Sequence, residues 1–288
     1  MGAAWIKKDI SSKYFLEGKI QSYLTRLGVY HLVVVILVIF LLIPACCSAI
    51  ATPVSFENEK LHDLLLKLKG RGLAEDDLTR VFSDPRVALY PEIVERRGKG
   101  LDYTGRRFAL LTKMSVKQGK KVLSDNGVIL RKIEAAYGVG REVLVAILRI
   151  ETNFGRFVGN VPIFNSLLTM ALIENRRSDW AGEELGHLLQ FCREQNKDPH
   201  SIKGSWAGAF GLPQFIPSSY VKYAVDGNDD GIVDLYNLTD ALASMANYLK
   251  SFGWSLKDPA KKKEALYAYN RCENYVQAVL SYARALKR

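Results

Sequence analysis

Glu151 is the residue of this sequence whose position most clearly suggests acid–base chemistry. In a helix over residues 141–151, Leu144, Ile147 and Leu148 share one face with Glu151, because helical neighbours recur every three to four residues. Arg149 then points to the opposite side of the helix. A carboxyl group at the end of an apolar stripe loses water, which raises its pKa toward neutrality, where it can act as a general acid. The alternative is a helix-terminal glutamate that turns into solvent or caps a backbone group.

A second group of polar residues lies in the loop 226–240, DGNDDGIVDLYNLTD. Its spacing resembles that of an EF-hand calcium loop, with oxygen-bearing side chains at the first, third and fifth positions, glycine at the sixth and a backbone carbonyl at the seventh. The glutamate expected at the twelfth position is missing, and an aspartate three residues later can take its place. The predicted Ca²⁺ ligands are Asp226, Asn228, Asp230, Ile232 and Asp240. The alternative is a surface turn rich in Asp, Asn and Gly.

The stretch 203–219, KGSWAGAFGLPQFIPSS, places aromatic and amide side chains among glycines and prolines. Such a stretch is not a regular helix. Two interpretations stay open: a groove wall that presents Gln214 and the aromatic rings, or a loop whose aromatic residues fill the core.

Helical periodicity dominates the rest of the chain, and the alternation typical of strands is nearly absent, so we expect a mainly α fold. The predicted helices cover 61–69, 76–82, 115–138, 141–151, 166–174, 178–195, 238–254, 261–270 and 272–286.

Residues 1–51 form a predicted N-terminal signal or membrane segment, because five basic and two acidic residues accompany an uncharged run over 32–43. Cleavage before Thr52 is the first expectation, lipidation of Cys46 the second, and an uncleaved anchor the third. Each of the three places residues 52–288 outside the cytoplasm.

The composition, 48% hydrophobic and 24% charged, is that of a globular protein. The chain carries a net charge of +10, and +7 remains without residues 1–51, which suits an acidic polymer or an anionic membrane surface. No zinc spacing, phosphate-binding glycine loop or Ser/His nucleophile signature is present. Outside the N-terminal segment, Cys192 and Cys272 can either form one disulfide or remain two thiols.

Four blocks in order, ILRIETNFGRFVGN, GSWAGAFGLPQFIPSSY, YAVDGNDDGIVDLYNLTDALASMANYLKSFGW and AYNRCENYVQAV, resemble the membrane-bound lytic murein transglycosylase B family over about residues 57–288. The resemblance implies a lysozyme-like α-helical catalytic core with small accessory segments and an EF-hand-like calcium loop. It divides the chain into a helical part over 57–137 and a catalytic core over 138–288. The sequence departs from the residues common among relatives at Asn153, Phe154 and the Leu212-Pro213 pair. These departures affect the expected shape of the groove.

By the same resemblance, Glu151 is the single catalytic acid and base, acting on peptidoglycan glycan strands in the bacterial periplasm. The residues implied to line the groove are Arg176, Arg177, Ser205, Gln214, Phe215, Tyr248, Asn270 and Tyr275. We expect a monomer, possible membrane association through the N-terminus, and no nucleic-acid partner, because export and the acidic loop both argue against one.

No second acid is paired with Glu151 in its block, whereas most glycosidases use two carboxylates. One carboxyl group suffices if the substrate supplies the nucleophile. We therefore expect Glu151 to protonate the oxygen between N-acetylmuramic acid and N-acetylglucosamine, and then to accept the proton of the muramoyl O6 hydroxyl as this oxygen attacks C1 and closes a 1,6-anhydro ring. The alternatives are a muramidase, which uses water, and a non-catalytic protein that binds peptidoglycan.

Overall fold

The computed structural model describes residues 59–95, 102–103, 105 and 108–288, which are mostly helical. The expectations for residues 1–51, including lipidation at Cys46, lie outside this range. The helices are α1 (Glu59–Gly70), α2 (Glu75–Phe82), α3 (Glu92–Glu95), α4 (Lys113–Asp125), α5 (Gly127–Tyr137), α6 (Arg141–Thr152), α7 (Ile163–Leu172), α8 (Ser178–Glu194), α9 (Pro217–Tyr223), α10 (Leu238–Ser251), α11 (Pro259–Tyr269) and α12 (Glu273–Lys287). Two short strands, β1 (Val161–Pro162) and β2 (Lys203–Gly204), pair antiparallel.

Helix α6 is the centre of the fold. Almost every residue from Val143 to Ile150 is buried, so this helix is enclosed on all sides rather than amphipathic. One hydrophobic cluster joins it to α5, α10, α11 and α12, with Leu144, Met245 and Val279 fully buried. The end of α6 is therefore a rigid position from which to present a side chain.

A second hydrophobic cluster joins α1 and α2 to α7 and α8. Phe164 of α7 is fully buried there and meets the ring of Phe82 edge to face at 5.3 Å between centroids. All described residues belong to one compact unit, Ala51–Arg288. Because α1 and α2 pack with α7 and α8, and α4 and α5 pack with α6, the N-terminal helices contribute to the same cores as the rest of this unit. The division at 137/138 stays a prediction.

The single helix predicted over 115–138 is wrong, because the chain breaks at Asn126 into α4 and α5. The backbone of Asn126 leaves the helical region (φ −112°, ψ 22°), and its side-chain amide donates to the Val122 carbonyl at 3.0 Å. Asparagine competes for backbone partners in this way, and Gly127 follows it directly.

Both cysteines of the described residues are free thiols, so the disulfide alternative is not realised. Cys192 is buried in the second cluster, and its burial raises its pKa to about 12. Among the described residues, no helix is long and apolar enough to cross a membrane.

Candidate active site

Glu151 lies in the last turn of α6, immediately before the chain turns away. Asn153, Phe154 and Gly155 follow with positive φ angles of 50°, 61° and 85°, and the Phe154 amide donates to the Leu148 carbonyl at 3.1 Å. Left-handed residues end a helix abruptly because they reverse the direction of the backbone. Glu151 is partly buried, so the turn leaves its carboxyl group at the edge of the core.

Among the described residues, the carboxyl group of Glu151 has one hydrogen bond, which comes from α12. The hydroxyl of Tyr275 donates to Glu151 Oε1 at 2.7 Å, and Tyr275 itself is fully buried. The Tyr269 ring stacks parallel to that of Tyr275 at 6.2 Å, and the Tyr103 ring meets it edge to face at 5.6 Å. We call Tyr103, Tyr269 and Tyr275 the tyrosine cluster.

The surroundings of Glu151 shift its pKa upward. Burial disfavours the charged carboxylate and raises the pKa from 4.5 to about 7, while the hydrogen bond from Tyr275 acts in the opposite direction. Burial and the charge of Glu151 together raise the pKa of Tyr103 to about 12 and hold those of Tyr269 and Tyr275 well above their ordinary value. Near neutral pH, Glu151 can therefore exist in both protonation states beside neutral tyrosines.

Arg149 is turned away from Glu151, as its place on the helical wheel predicts. Its Nε donates to the Ser115 hydroxyl at 2.9 Å and its Nη2 to the Phe108 carbonyl at 3.0 Å. Arg149 is thus not the counter-ion of Glu151.

Gln214 lies in a loop that is fixed beside the end of α6. Its amide nitrogen donates to the carbonyls of Val158 at 3.1 Å and Gly211 at 2.9 Å. The hydroxyl of Tyr269 donates to the carbonyl of Pro213, in the same loop, at 2.7 Å. The loop is therefore attached to the tyrosine cluster from one side and to the segment after Glu151 from the other.

Ser205 sits in the neighbouring turn after β2, where its hydroxyl accepts hydrogen bonds from the amides of Ala207 and Ala209 at 3.3 and 3.1 Å. Gly159 packs directly on this strand: a Cβ at Gly159 (φ +88°) would lie 2.1 Å from the carbonyl oxygen of Gly204. Only glycine allows this contact, so the segment after Glu151 and the Ser205 turn are held together.

The structure brings together some of the predicted groove residues and separates others. Asn270 directly follows Tyr269 at the end of α11, next to the tyrosine cluster, whereas Tyr275 contacts Glu151 itself. Arg176 and Arg177 are exposed residues immediately before α8, where the guanidinium of Arg177 lies 4.1 Å from the centroid of the Trp180 ring.

Two predicted groove residues are core residues. Phe215 is 2% exposed and Tyr248 is 8% exposed, and their rings pack together at 5.6 Å. The hydroxyl of Tyr248 donates to the Ala268 carbonyl at 2.8 Å. Both rings are thus buried within the core, as the core-filling alternative describes for Phe215, and the expectation that these two side chains line a groove stays a prediction.

Tyr103 and Tyr269 were not among the predicted site residues. Tyr269 had a usable signal, because it precedes the break between α11 and α12 and lies six residues before Tyr275. Tyr103 had none, since its place beside Tyr275 depends on a contact between residues far apart in the chain.

The acidic loop is closed by hydrogen bonds to its own backbone. The carboxylate of Asp226 accepts from the amide of Gly231 at 2.7 Å, and the side-chain amide of Asn228 donates to Asp230 at 2.9 Å. Asp240 is completely buried and accepts from the amides of Gly227 and Asp234 at 2.9 and 2.8 Å. Within the described residues, no group of three or more His, Cys, Asp or Glu side chains is arranged to hold a metal ion.

The side-chain oxygen atoms of Asp226, Asn228 and Asp230, which lie in one tightly hydrogen-bonded loop, are nevertheless of the kind that Ca²⁺ prefers. The residues fit the ion in chemistry, and Ile232 keeps its carbonyl at the seventh position. Both carboxylate oxygens of Asp240 already hold backbone amides, so this residue would need to share or exchange them.

The mainly helical fold is that of lysozyme-like lytic transglycosylases of known structure. Residues 57–263 match the family described as "Transglycosylase SLT domain", and the chain belongs to this family, which confirms the predicted resemblance.

One relative is the membrane-bound lytic murein transglycosylase B of Escherichia coli K12, which is 38% identical over 201 residues. The match covers 69% of this chain and 54% of the relative, so the chain spans about half of that protein's length.

Two solved structures also share the fold. SltB3 of Pseudomonas aeruginosa, in complex with NAG-anhNAM-pentapeptide, has a TM-score of 0.71 at 26% identity and covers 81% of this chain and 80% of its own. The Escherichia coli lytic transglycosylase Slt35, in complex with calcium, has a TM-score of 0.73 at 23% identity and covers 84% of this chain and 97% of its own. The second likeness concerns the fold alone.

Proposed function

We propose that this protein is a lytic transglycosylase that cleaves the β-1,4 bond between N-acetylmuramic acid and N-acetylglucosamine in peptidoglycan and forms a 1,6-anhydromuramoyl product. The observation that carries the proposal is the raised pKa of Glu151, about 7, at the end of the central helix of a transglycosylase-family domain. The peptidoglycan fragment bound to the related SltB3 supports the substrate class.

In the first step, neutral Glu151 donates its proton to the glycosidic oxygen as the C1–O bond breaks. A carboxylic acid with a pKa near the working pH is suited to this transfer, because a large fraction is protonated and the proton is still acidic enough to leave. The acetamide of the muramoyl residue supports the positive charge that develops at C1. The N-acetylglucosamine chain leaves as an alcohol.

In the second step, the carboxylate of Glu151 accepts the proton of the muramoyl O6 hydroxyl. O6 then bonds to C1, which closes the anhydro ring and restores the protonated acid, so that no water is consumed. The hydrogen bond from Tyr275 to Glu151 Oε1 favours the carboxylate between the two steps.

The groups best placed to position the sugar are the polar residues beside the tyrosine cluster. Asn270 and Gln214 carry amides that match the hydroxyl and acetamide groups of the glycan. Asn270 directly follows Tyr269, and the Tyr269 hydroxyl donates to the carbonyl of Pro213, the residue before Gln214. Ser205 adds a hydroxyl in the turn that packs on the segment after Glu151. Arg176 and Arg177, exposed and cationic, suit the carboxylates of peptide stems or more distant parts of the strand.

The test is mass spectrometry of the products released from purified sacculi. Wild-type protein should release muropeptides that end in 1,6-anhydromuramic acid, and Glu151→Gln should release none, because an amide cannot donate the proton. Glu142→Gln is the matched control, since Glu142 lies on the same helix beside Arg141 and Lys287. Anhydro products from Glu151→Gln contradict the assignment. Reducing ends in place of anhydro ends identify a muramidase, and binding without cleavage identifies a non-catalytic protein.

For the acidic loop, the proposal is a structural Ca²⁺ site formed by the five predicted ligands. Its support is the calcium-loop spacing of Asp226, Asn228 and Asp230 in one hydrogen-bonded loop, together with the calcium bound to the structurally similar Slt35. Adding Ca²⁺ should raise the melting temperature of the wild type and leave that of Asp230→Asn almost unchanged. Equal shifts for both proteins exclude this loop as the site.

The proposed location is the bacterial periplasm, in contact with the cell wall. It rests on the basic and apolar composition of residues 1–51 and on the membrane-bound character of the relative from Escherichia coli. Mass measurement of the mature N-terminus distinguishes cleavage before Thr52, lipidation of Cys46 and a retained anchor.

A further inference from the structure

Arg149 is a buried cation whose hydrogen-bond acceptors among the described residues are neutral. Its exposure is 9%, burial lowers its pKa, and its guanidinium donates to the Ser115 hydroxyl and the Phe108 carbonyl. Removing a charge from water without an opposite charge beside it is costly. A shorter apolar side chain at this position would avoid this cost. The presence of an arginine here therefore suggests that the contacts of its guanidinium have a role.

These contacts connect Arg149 to Glu151 by a path outside helix α6. The guanidinium also lies 5.3 Å from the centroid of the Phe108 ring. The Phe108 ring meets that of Tyr103 edge to face at 5.4 Å, and Tyr103 meets Tyr275 in the same way at 5.6 Å. Tyr275 in turn donates to Glu151 at 2.7 Å.

A second branch ties the same guanidinium to α12. The Ser115 hydroxyl that accepts from Arg149 donates to the hydroxyl of Tyr282 at 3.3 Å, and Tyr282 donates to the Ser115 carbonyl. Ser115 and Tyr282 are both buried, and Tyr282 lies on the helix that carries Tyr275. Arg149 therefore links α4, α6 and α12, and at the same place it contacts Phe108, which follows Tyr103 in the chain.

We propose that Arg149 is a positioning residue, which holds the Phe108 end of this chain in place so that Tyr103 stays packed on Tyr275 and closes one side of the Glu151 site. This inference rests on the proposed function for its consequence in catalysis. The guanidinium of Arg149 contacts Ser115 and Phe108, so its influence on Glu151 passes through Phe108 and Tyr103.

The expected consequence is a change in how well water reaches Glu151. Among the described residues, the titratable groups that face Glu151 are those of the tyrosine cluster, and burial is the main cause of its raised pKa. If Tyr103 moves away, water reaches the carboxyl group and its pKa falls toward 4.5. Glu151 is then protonated over a narrower pH range, so the loss of activity on the alkaline side begins at a lower pH.

The experiment compares the wild type with Arg149→Met, which keeps an apolar stem and cannot donate. The Glu151 carboxyl is titrated by ¹³C NMR, and hydrogen exchange is followed in residues 108–116. We expect the pKa of Glu151 to fall by about one unit, which corresponds to an activity loss of up to about tenfold above neutral pH and little loss in acid. Amides after Phe108 should exchange faster.

Three further variants separate positioning from general stability. Arg149→Lys keeps the charge and one donor and should restore part of the pKa shift. Phe108→Ala, at a partly exposed position, removes the ring between the guanidinium and Tyr103 and should lower the pKa of Glu151 even if Arg149→Met does not fold. Ile150→Val, in the same core, should leave this pKa unchanged.

An unchanged Glu151 pKa in both Arg149→Met and Phe108→Ala overturns the inference and leaves Arg149 as a core residue only. Because the titration does not depend on turnover, it decides the role of Arg149 even if the wild type fails to cleave peptidoglycan. Such a failure would instead count against the proposed function.

Discussion

Replacing Glu151 by glutamine should stabilise the protein, and the gain should grow with pH. In the folded chain the carboxyl group titrates at about 7, whereas 4.5 is the ordinary value that applies after unfolding. Between these two values the unfolded state releases a proton that the folded state keeps, so stability falls as the pH rises. Below the ordinary value both states are protonated and no penalty exists. The amide of glutamine never ionises and escapes the penalty.

The size of the gain follows from the shift. At 1.36 kcal/mol per pKa unit, the change from 4.5 to about 7 amounts to about 3 kcal/mol once both states are ionised. The amide oxygen can still accept the hydrogen bond from Tyr275, so little is lost at this contact. We therefore expect Glu151→Gln to match the wild type near pH 4 and to exceed its free energy of unfolding by about 3 kcal/mol near pH 8.

Urea denaturation over this pH range provides the measurement, because the difference between two proteins cancels the contribution of every other titrating group. The control is Glu142→Gln on the same helix, which removes a carboxylate that lies beside Arg141 and Lys287 and should not become more stabilising as pH rises. Parallel curves for Glu151→Gln and wild type, or a gain that is largest in acid, would refute the reasoning that burial keeps Glu151 protonated.

Three further predictions follow from single contacts. Tyr275→Phe removes a hydrogen bond that favours the charged form of Glu151, so the pKa of Glu151 should rise by about one unit, and the alkaline limb of the pH–activity profile should move up with it. Gly159→Ala should lower the free energy of unfolding by about 2–4 kcal/mol in urea denaturation, because its Cβ would lie 2.1 Å from a carbonyl oxygen of β2 at a positive φ. Glu184→Ala should cost about 2–4 kcal/mol in the same assay, because this buried carboxylate accepts from the amide and hydroxyl of Ser218 at 2.9 and 2.8 Å, and Glu184→Gln should cost less.

The position of Glu151 could be predicted because it depends on a local rule. Its apolar neighbours and the opposite direction of Arg149 both follow from the helical period, and the structure places both side chains accordingly. The upward direction of its pKa shift follows from the same pattern, since the residues that share its face are apolar. Helical periodicity therefore predicts those chemical properties of a residue that depend on its own helix.

The partners of Glu151 could not be found in this way. Tyr275 lies 124 positions away, and its hydrogen bond depends on how α12 packs against α6. The burial of Phe215 and Tyr248 likewise depends on tertiary packing, because an aromatic ring suits a groove and a core equally well, whether it lies in a glycine-rich loop or on a helix. The break at Asn126 was missed because apolar spacing continues through it, while a side-chain hydrogen bond ends the helix.

A single carboxyl group that serves first as acid and then as base needs both protonation states at comparable free energy. Burial alone would favour the neutral acid too strongly, and a lysine or arginine beside Glu151 would favour the carboxylate too strongly. The described surroundings avoid both extremes: burial acts in one direction, and the neutral hydroxyl of Tyr275 acts more weakly in the other. A tyrosine held neutral by its own burial can donate to either form of the carboxyl group, so the proton can leave Glu151 and return without any rearrangement of its partner. On this argument, the neutrality of the tyrosine cluster matters as much to the proposed reaction as the acid itself.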